Sequence, residues 1–169
     1  GELVHTQMKI FDWTNLELRL QTIEAEIMSG NTVSRPFSVL GLFDKPQLQR
    51  QCAAIYAKQE LSETSQLGVI AKRAKDARIR IGYFSMEFCE HPISQRMVDL
   101  IELHDRTRFE IYGFSFGADT KDPMRQRMEK AFDRFIDVKS HSELEIARLA
   151  REHAIDIAID LGGYTKDSR

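Results

Sequence analysis

The sequence predicts an α/β fold: a Rossmann-like parallel sheet with flanking helices, preceded by a helical segment. Three observations carry this. From Arg78 onward, short apolar runs near 79–84, 109–116, 135–138 and 155–161 alternate with stretches of helical period, and strands alternating with helices make a parallel sheet through right-handed crossovers. The run Phe109–Phe116 is apolar on both alternating faces, as a strand covered on both sides is. Upstream of residue 78, apolar residues recur at helical spacing instead.

Taken in order, residues 3–10 read as the last turns of a helix that begins upstream. Thr14 with Glu17 three residues on predicts a capping box, opening a helix with the stripe Leu16, Leu20, Ile23 and Ile27. Ser29-Gly30-Asn31 ends it with residues that tolerate the left-handed conformation. Residues 32–43 read as a connector. A second helix follows Asp44, with Pro46 in its first turn, where a missing N–H costs nothing, and with Leu48, Cys52, Ile55 and Tyr56 on one side. Residues 61–77 are polar, and their basic run Lys72-Arg73-Ala74-Lys75 reads as a solvated linker. After the first strand, a helix runs from Pro92 through Ile93, Met97, Leu100, Ile101 and His104. Asp122-Pro123 opens the next, with Met124, Met128 and Phe132. Ser140 or Ser142 caps the last, with Leu144, Ala147, Leu149 and Ala150. The expected organisation is a helical segment at 1–60, a linker at 61–77 and a Rossmann-like domain at 78–169.

Composition narrows the function classes. A net charge of −2 in 169 residues gives no electrostatic footprint for nucleic acid or an anionic membrane. No apolar run approaches the roughly 18 residues of a membrane span, and residues 1–10 lack the continuous apolar core of a signal peptide. Two cysteines, Cys52 and Cys89, lie in different elements, without metal-type spacing and as expected of reduced thiols in a cytoplasmic protein. The absence of an initiator Met leads us to expect that the natural protein starts upstream.

In an open parallel sheet, ligands bind beyond the carboxyl ends of the strands. The sharpest candidate there is His91, directly before Pro92 at a helix start. The positive end of the helix dipole disfavours a protonated imidazole, and a neutral ring is what a general base needs; the alternative is a histidine that simply caps its helix. No Gly-x-Gly-x-x-Gly follows the first strand, which argues against a tightly held dinucleotide. Glu87 and Glu90 flank Cys89 and work against a thiolate. The second candidate is Asp160-Leu161-Gly162-Gly163-Tyr164-Thr165, where paired glycines let backbone approach a ligand and Asp160 is set to orient a base or receive a hydroxyl; the alternative is a plain turn. His141 and His153 read as exposed helix residues.

These residues carry a resemblance. Ile79-Arg80-Ile81-Gly82-Tyr83-Phe84-Ser85, then Phe88 and His91-Pro92-Ile93-Ser94, resembles the start of the catalytic domain of the O-linked N-acetylglucosamine transferase / SPINDLY-like family. Asp156 to Lys166 resembles that family's next signature. The segment around Asp12-Trp13 and Pro36-Phe37-Ser38 resembles its connector after tetratricopeptide repeats. The resemblance implies a glycosyltransferase of two Rossmann-like lobes, the GT-B arrangement, of which this chain is the connector plus the N-terminal, acceptor-side lobe. It implies transfer of GlcNAc from UDP-GlcNAc to Ser or Thr hydroxyls of a protein or peptide acceptor, with no metal and no other cofactor. The catalytic role falls on His91, and Gly163, Tyr164 and Thr165 border the substrate, beside Asp160, which its strand-end position makes a substrate-binding candidate. Where some members carry a second histidine four residues after the first, this sequence has Gln95. The nucleotide sugar is expected mainly in a C-terminal lobe that is not present, so the fragment is expected to lack turnover alone.

Two other readings stand beside this one: O-fucosyl transfer from GDP-fucose, as SPINDLY-like members suggest, and a non-catalytic interaction module whose helical part docks a partner. A parallel sheet without a closing helix leaves an apolar face or edge, so the fragment is expected to self-associate.

Overall fold

A computed structural model of the chain describes residues 1–60, 67–70 and 78–165. Most of the linker assignment, the basic run Lys72-Arg73-Ala74-Lys75 and the final residues from Lys166 on lie outside these. The chain divides into two compact units, Gly1–Glu63 and Thr64–Arg169.

The first unit holds four helices: α1 (Glu2–Lys9), α2 (Leu16–Met28), α3 (Pro36–Leu42) and α4 (Pro46–Glu60). Ile23 and Ile27 of α2 and Leu48 and Cys52 of α4 face a shared core with Val4, Val39 and Phe43, so both expected stripes are buried. Gly30, at φ +86°, ends α2 as expected. Two details differ. The Thr14–Glu17 capping box does not form, because Asn15 takes the left-handed conformation at the N-cap without a side-chain cap. Thr14 then stands outside the cap position, and its N–H is taken by Asp12 Oδ1 at 3.0 Å. The connector at 32–43 contains a helix of its own, α3, with Pro36 at its start, where proline's fixed φ suits a first turn.

The second unit is a four-stranded parallel sheet: β1 (Ile79–Ser85), β2 (Phe109–Ser115), β3 (Arg134–Asp137) and β4 (Ile157–Asp160), in the order β3-β2-β1-β4. The connecting helices are α5 (Pro92–Glu102), α6 (Pro123–Ala131) and α7 (Glu143–Glu152). The walk β1 to β2 to β3 runs one way, so right-handed crossovers put α5 and α6 on one face; the return to β4 puts α7 on the other. Strand alternation supplies both faces. Ile81, Tyr83 and Ile111 pack with Val98, Ile101, Met128 and Phe132, while Tyr112 and Phe114 pack with Val138 and Ile146.

β4 is shorter than the apolar run suggests. Ile155 N–H returns to Ala150 O at the end of α7, and Asp156 bridges Arg80 through backbone and carboxylate, with Asp156 N–H to Arg80 O at 2.9 Å and Arg80 N–H to Asp156 Oδ2 at 2.8 Å. Ile157 is 45% exposed on this edge strand. Among the described residues no helix is long and apolar enough to cross a membrane. Phe114 is fully buried and stacked on Phe84 with centroids 4.5 Å apart. Phe114→Ala is therefore expected to cost about 3–5 kcal/mol of stability, read from the urea midpoint by circular dichroism.

Candidate active site

Strand order reverses between β1 and β4, and the crevice outside the carboxyl ends at such a reversal is where open α/β sheets bind ligands. The loop after β1 carries Glu87, Cys89 and His91. The loop after β4 carries Asp160 to Thr165. Both leave adjacent strand ends, with Phe84 paired to Asp160 in register and Leu161 N–H donating to Phe84 O at 3.1 Å.

The β1–α5 loop is held from several sides. Phe88 is fully buried between the rings of Phe132 and Phe135, at 5.2 and 5.7 Å. Ser85 Oγ accepts Glu87 N–H at 3.0 Å, and Cys89 N–H donates to Glu87 O at 2.8 Å. The β2–α6 loop braces it. A Cβ on Gly117 would lie 1.8 Å from Met86 O, so only glycine lets the two backbones touch. Asp122 caps α6 through Arg125 N–H at 2.8 Å and accepts Glu90 N–H on its other oxygen at 3.2 Å.

His91 is the N-cap of α5, and its Nδ1 accepts Ile93 N–H at 3.3 Å. Both readings of this histidine meet here, because Glu87 Oε2 lies 3.4 Å from the same nitrogen. That carboxylate oxygen is buried and has no hydrogen-bond partner among the described residues. The two contacts require opposite tautomers. An Nδ1 lone pair serves the cap and puts the proton on Nε2; an Nδ1–H directed to Glu87 leaves Nε2 with the lone pair that a base uses. Sequence reasoning missed Glu87 in this role; its spacing four residues before His91 was the available signal.

The second candidate behaves differently. Asp160 builds the turn itself, accepting Gly162 N–H at 2.8 Å and Gly163 N–H at 3.0 Å on its two oxygens. Gly163 sits at φ +55°, Thr165 Oγ1 donates to Gly162 O at 2.8 Å, and Tyr164 is 42% exposed. The carboxylate is thus engaged in shaping the loop. A cavity of about 410 Å³ lies beside it, with Phe84, Phe116, Ile146, Ala150, Ile155 and Asp160 among its lining residues.

Other residues sort out plainly. Burial, then Asp122 and Glu87, push the Cys89 thiol up, in line with a structural cysteine. His141 precedes α7, whose N-cap is Ser142 with a complete capping box, so it is not a helix residue. His153 closes α7 and packs on Tyr112 at 5.4 Å, which removes it from the exposed class. His104 lies beyond the end of α5, with Nδ1 against Leu100 O at 2.6 Å and Nε2 against Tyr83 OH at 3.1 Å. Arg125 gives no signal in the sequence beyond a helix cation. It is nevertheless buried, bonding Ser115 Oγ at 2.6 Å and Glu129 at 2.8 Å, with its guanidinium over Phe135. Among the described residues no group of three or more His, Cys, Asp or Glu could hold a metal ion.

Titratable groups thus gather at the strand reversal of a parallel α/β domain, where open sheets of this class bind ligands. The family model described as Glycosyl transferase family 41 matches residues 51–169, and the chain belongs to that family. It is 26% identical over 182 residues to the probable UDP-N-acetylglucosamine–peptide N-acetylglucosaminyltransferase SEC of Arabidopsis thaliana, a match covering 99% of this chain and 19% of that protein. It is 30% identical over 93 residues to the Caenorhabditis elegans UDP-N-acetylglucosamine–peptide N-acetylglucosaminyltransferase, covering 54% of this chain and 8% of that one. Among solved structures, a mutant O-GlcNAc transferase of Thermobaculum terrenum matches with a TM-score of 0.66 and 27% identity, over 95% of this chain and 31% of that chain. The chain thus spans under a third of the length of these relatives.

Two predictions follow from the loop packing. Gly117→Ala must displace the Met86 backbone; it is expected to cost about 1–3 kcal/mol and to speed amide exchange across residues 86–90 in hydrogen-exchange mass spectrometry. Asp122's carboxyl is held below the usual range by hydrogen bonds from Thr120 and from Arg125 N–H. A depressed folded value adds stability above the unfolded carboxylate value of about 3.9 and loses it as pH falls through the lower folded one. The stability gap between the parent and Asp122→Asn is therefore expected to be widest near neutrality and to close on acidification, measured by urea melts from pH 7 to pH 3.

Proposed function

We propose that this chain forms the acceptor-side wall of the active site of a protein O-glycosyltransferase that moves GlcNAc from UDP-GlcNAc to a Ser or Thr hydroxyl. The observation that carries the reading is the Glu87–His91 pair at the carboxyl end of β1, in a chain of a glycosyltransferase family. Relatives in Arabidopsis and Caenorhabditis are named for that transfer. On this reading residues 78–169 are the N-terminal lobe of a GT-B enzyme, and residues 1–60 are a connector from a tetratricopeptide-type region. The nucleotide sugar is held mainly by a second lobe outside this chain, and the protein works in the cytoplasm with Cys52 and Cys89 as free thiols.

The chemistry is a displacement at the anomeric carbon. The acceptor oxygen bonds to C1 as the C1–O bond to UDP breaks; UDP leaves with the electron pair, and the hydroxyl proton passes to a base. His91 is that base in the tautomer that Glu87 favours, with Nδ1–H toward the carboxylate and the Nε2 lone pair toward the acceptor. Gly163, Tyr164 and Thr165 line the acceptor side of the same crevice, in the turn that Asp160 shapes.

The test uses the longer protein containing this segment. His91→Ala and Glu87→Gln are each expected to lower kcat about 10²- to 10⁴-fold while leaving the KM for UDP-GlcNAc nearly unchanged. Glu87→Gln keeps the side chain's size but offers an N–H to Nδ1, which favours the wrong tautomer. Wild-type kcat in both variants would overturn the assignment. GDP-fucose in place of UDP-GlcNAc is the control arm, and turnover with it alone would move the donor assignment to fucose.

A further inference from the structure

The pairing of Glu87 with His91 depends on where the Glu87 peptide is held, and one buried hydroxyl does this. Ser94 lies in the first turn of α5, three residues after His91, and is fully buried. A buried hydroxyl without a partner is destabilising, and an alanine would fill nearly the same space in a helix without that risk. Among the described residues the hydroxyl makes one hydrogen bond, donated to Glu87 O. Ser85, equally buried at the end of β1, takes the Glu87 N–H on its own Oγ. Glu87 is therefore tied on its amino side to the strand and on its carboxyl side to the helix turn that begins at His91.

We infer that Ser94 is a positioning residue for the proposed transfer: it references Glu87 to the turn bearing His91 and so holds the carboxylate beside Nδ1. This rests on the reading of Glu87 and His91 given above. The hydroxyl and His91 move together, because Gln95 N–H bonds His91 O at 3.0 Å as the first bond of the helix. Cys89 N–H also donates to Glu87 O at 2.8 Å, so removing the Ser94 hydroxyl leaves that carbonyl partnered. The fold tolerates the loss, while the carboxylate loses its fixed distance from the ring.

The experiment is a double-mutant cycle of Ser94→Ala with Glu87→Gln in the longer protein, assayed for GlcNAc transfer from UDP-GlcNAc. Ser94→Ala alone is expected to lower kcat roughly tenfold to a hundredfold with the KM for UDP-GlcNAc unchanged. In the Glu87→Gln background it is expected to cost nothing further, the non-additivity of residues that act through one another. In ¹⁵N spectra the His91 ring nitrogens are expected to shift in Ser94→Ala, with the His104 and His153 signals in place. Ser94→Cys, close in volume and a weaker donor, carries the same cycle if the alanine variant fails to fold. Wild-type kcat in Ser94→Ala, or an equal loss in both backgrounds, overturns the inference. If Glu87→Gln and His91→Ala themselves turn over at wild-type rates, the proposed site falls instead, and the two failures are told apart.

Discussion

Strand β1 is hydrogen-bonded on both sides, to β2 over residues 79–85 and to β4 over residues 81–84, and the candidate site hangs from that double pairing. A strand held along both edges cannot shift its carboxyl end without breaking two ladders. Its two faces are filled as well: Ile81 and Tyr83 on the α5–α6 side, and Phe84 packed toward Phe114 on the α7 side. The loop that follows starts from a fixed point, and Ser85, the last strand residue, already bonds Glu87.

The reversal of strand order then decides what sits beside that loop. Because the chain walks from β1 to β3 and returns to the far side of β1, the turn after β4 leaves next to the loop after β1. Neither segment is close to the other in sequence, about seventy positions apart. Right-handed crossover geometry brings them to one edge. The local chemistry of the two loops differs. One sets a buried carboxylate oxygen, without a hydrogen-bond partner among the described residues, beside an imidazole; the other consumes its carboxylate in two backbone hydrogen bonds.

Much of this was legible in the sequence, for identifiable reasons. The helix at Pro92 announced itself through proline at its first position and apolar residues on one side, and β2 through an unbroken apolar run. His91 could be named because a strand end and a helix start flank it. Part of what escaped was non-local. Nothing in Arg125 reveals that Ser115 and Phe135 will enclose it, since those partners come from β2 and β3 while Arg125 lies on α6. The Thr14–Glu17 pattern was formally correct but failed, because the left-handed Asn15 displaced the cap by one residue. The helix that starts at Pro36 leaves no periodic signal in the sequence, since seven residues give too few repeats for a period to register. In the sequence Glu87 bears visibly only on Cys89; its relation to His91 depends on the loop's actual path, set by buried serines and by Phe88.

The contact of Gly117 with Met86 has a mechanical meaning. Most loops in proteins meet through side chains, which act as springs: rotamers yield and small displacements fade. Here backbone meets backbone with no side chain between them, and peptide units are stiff. The loop after β2 is therefore a hard stop for the loop after β1. A shift in one loop cannot be absorbed by a rotamer between them, so the Gly117 contact ties the position of Met86, and with it the start of the Glu87 loop, to the β2–α6 loop.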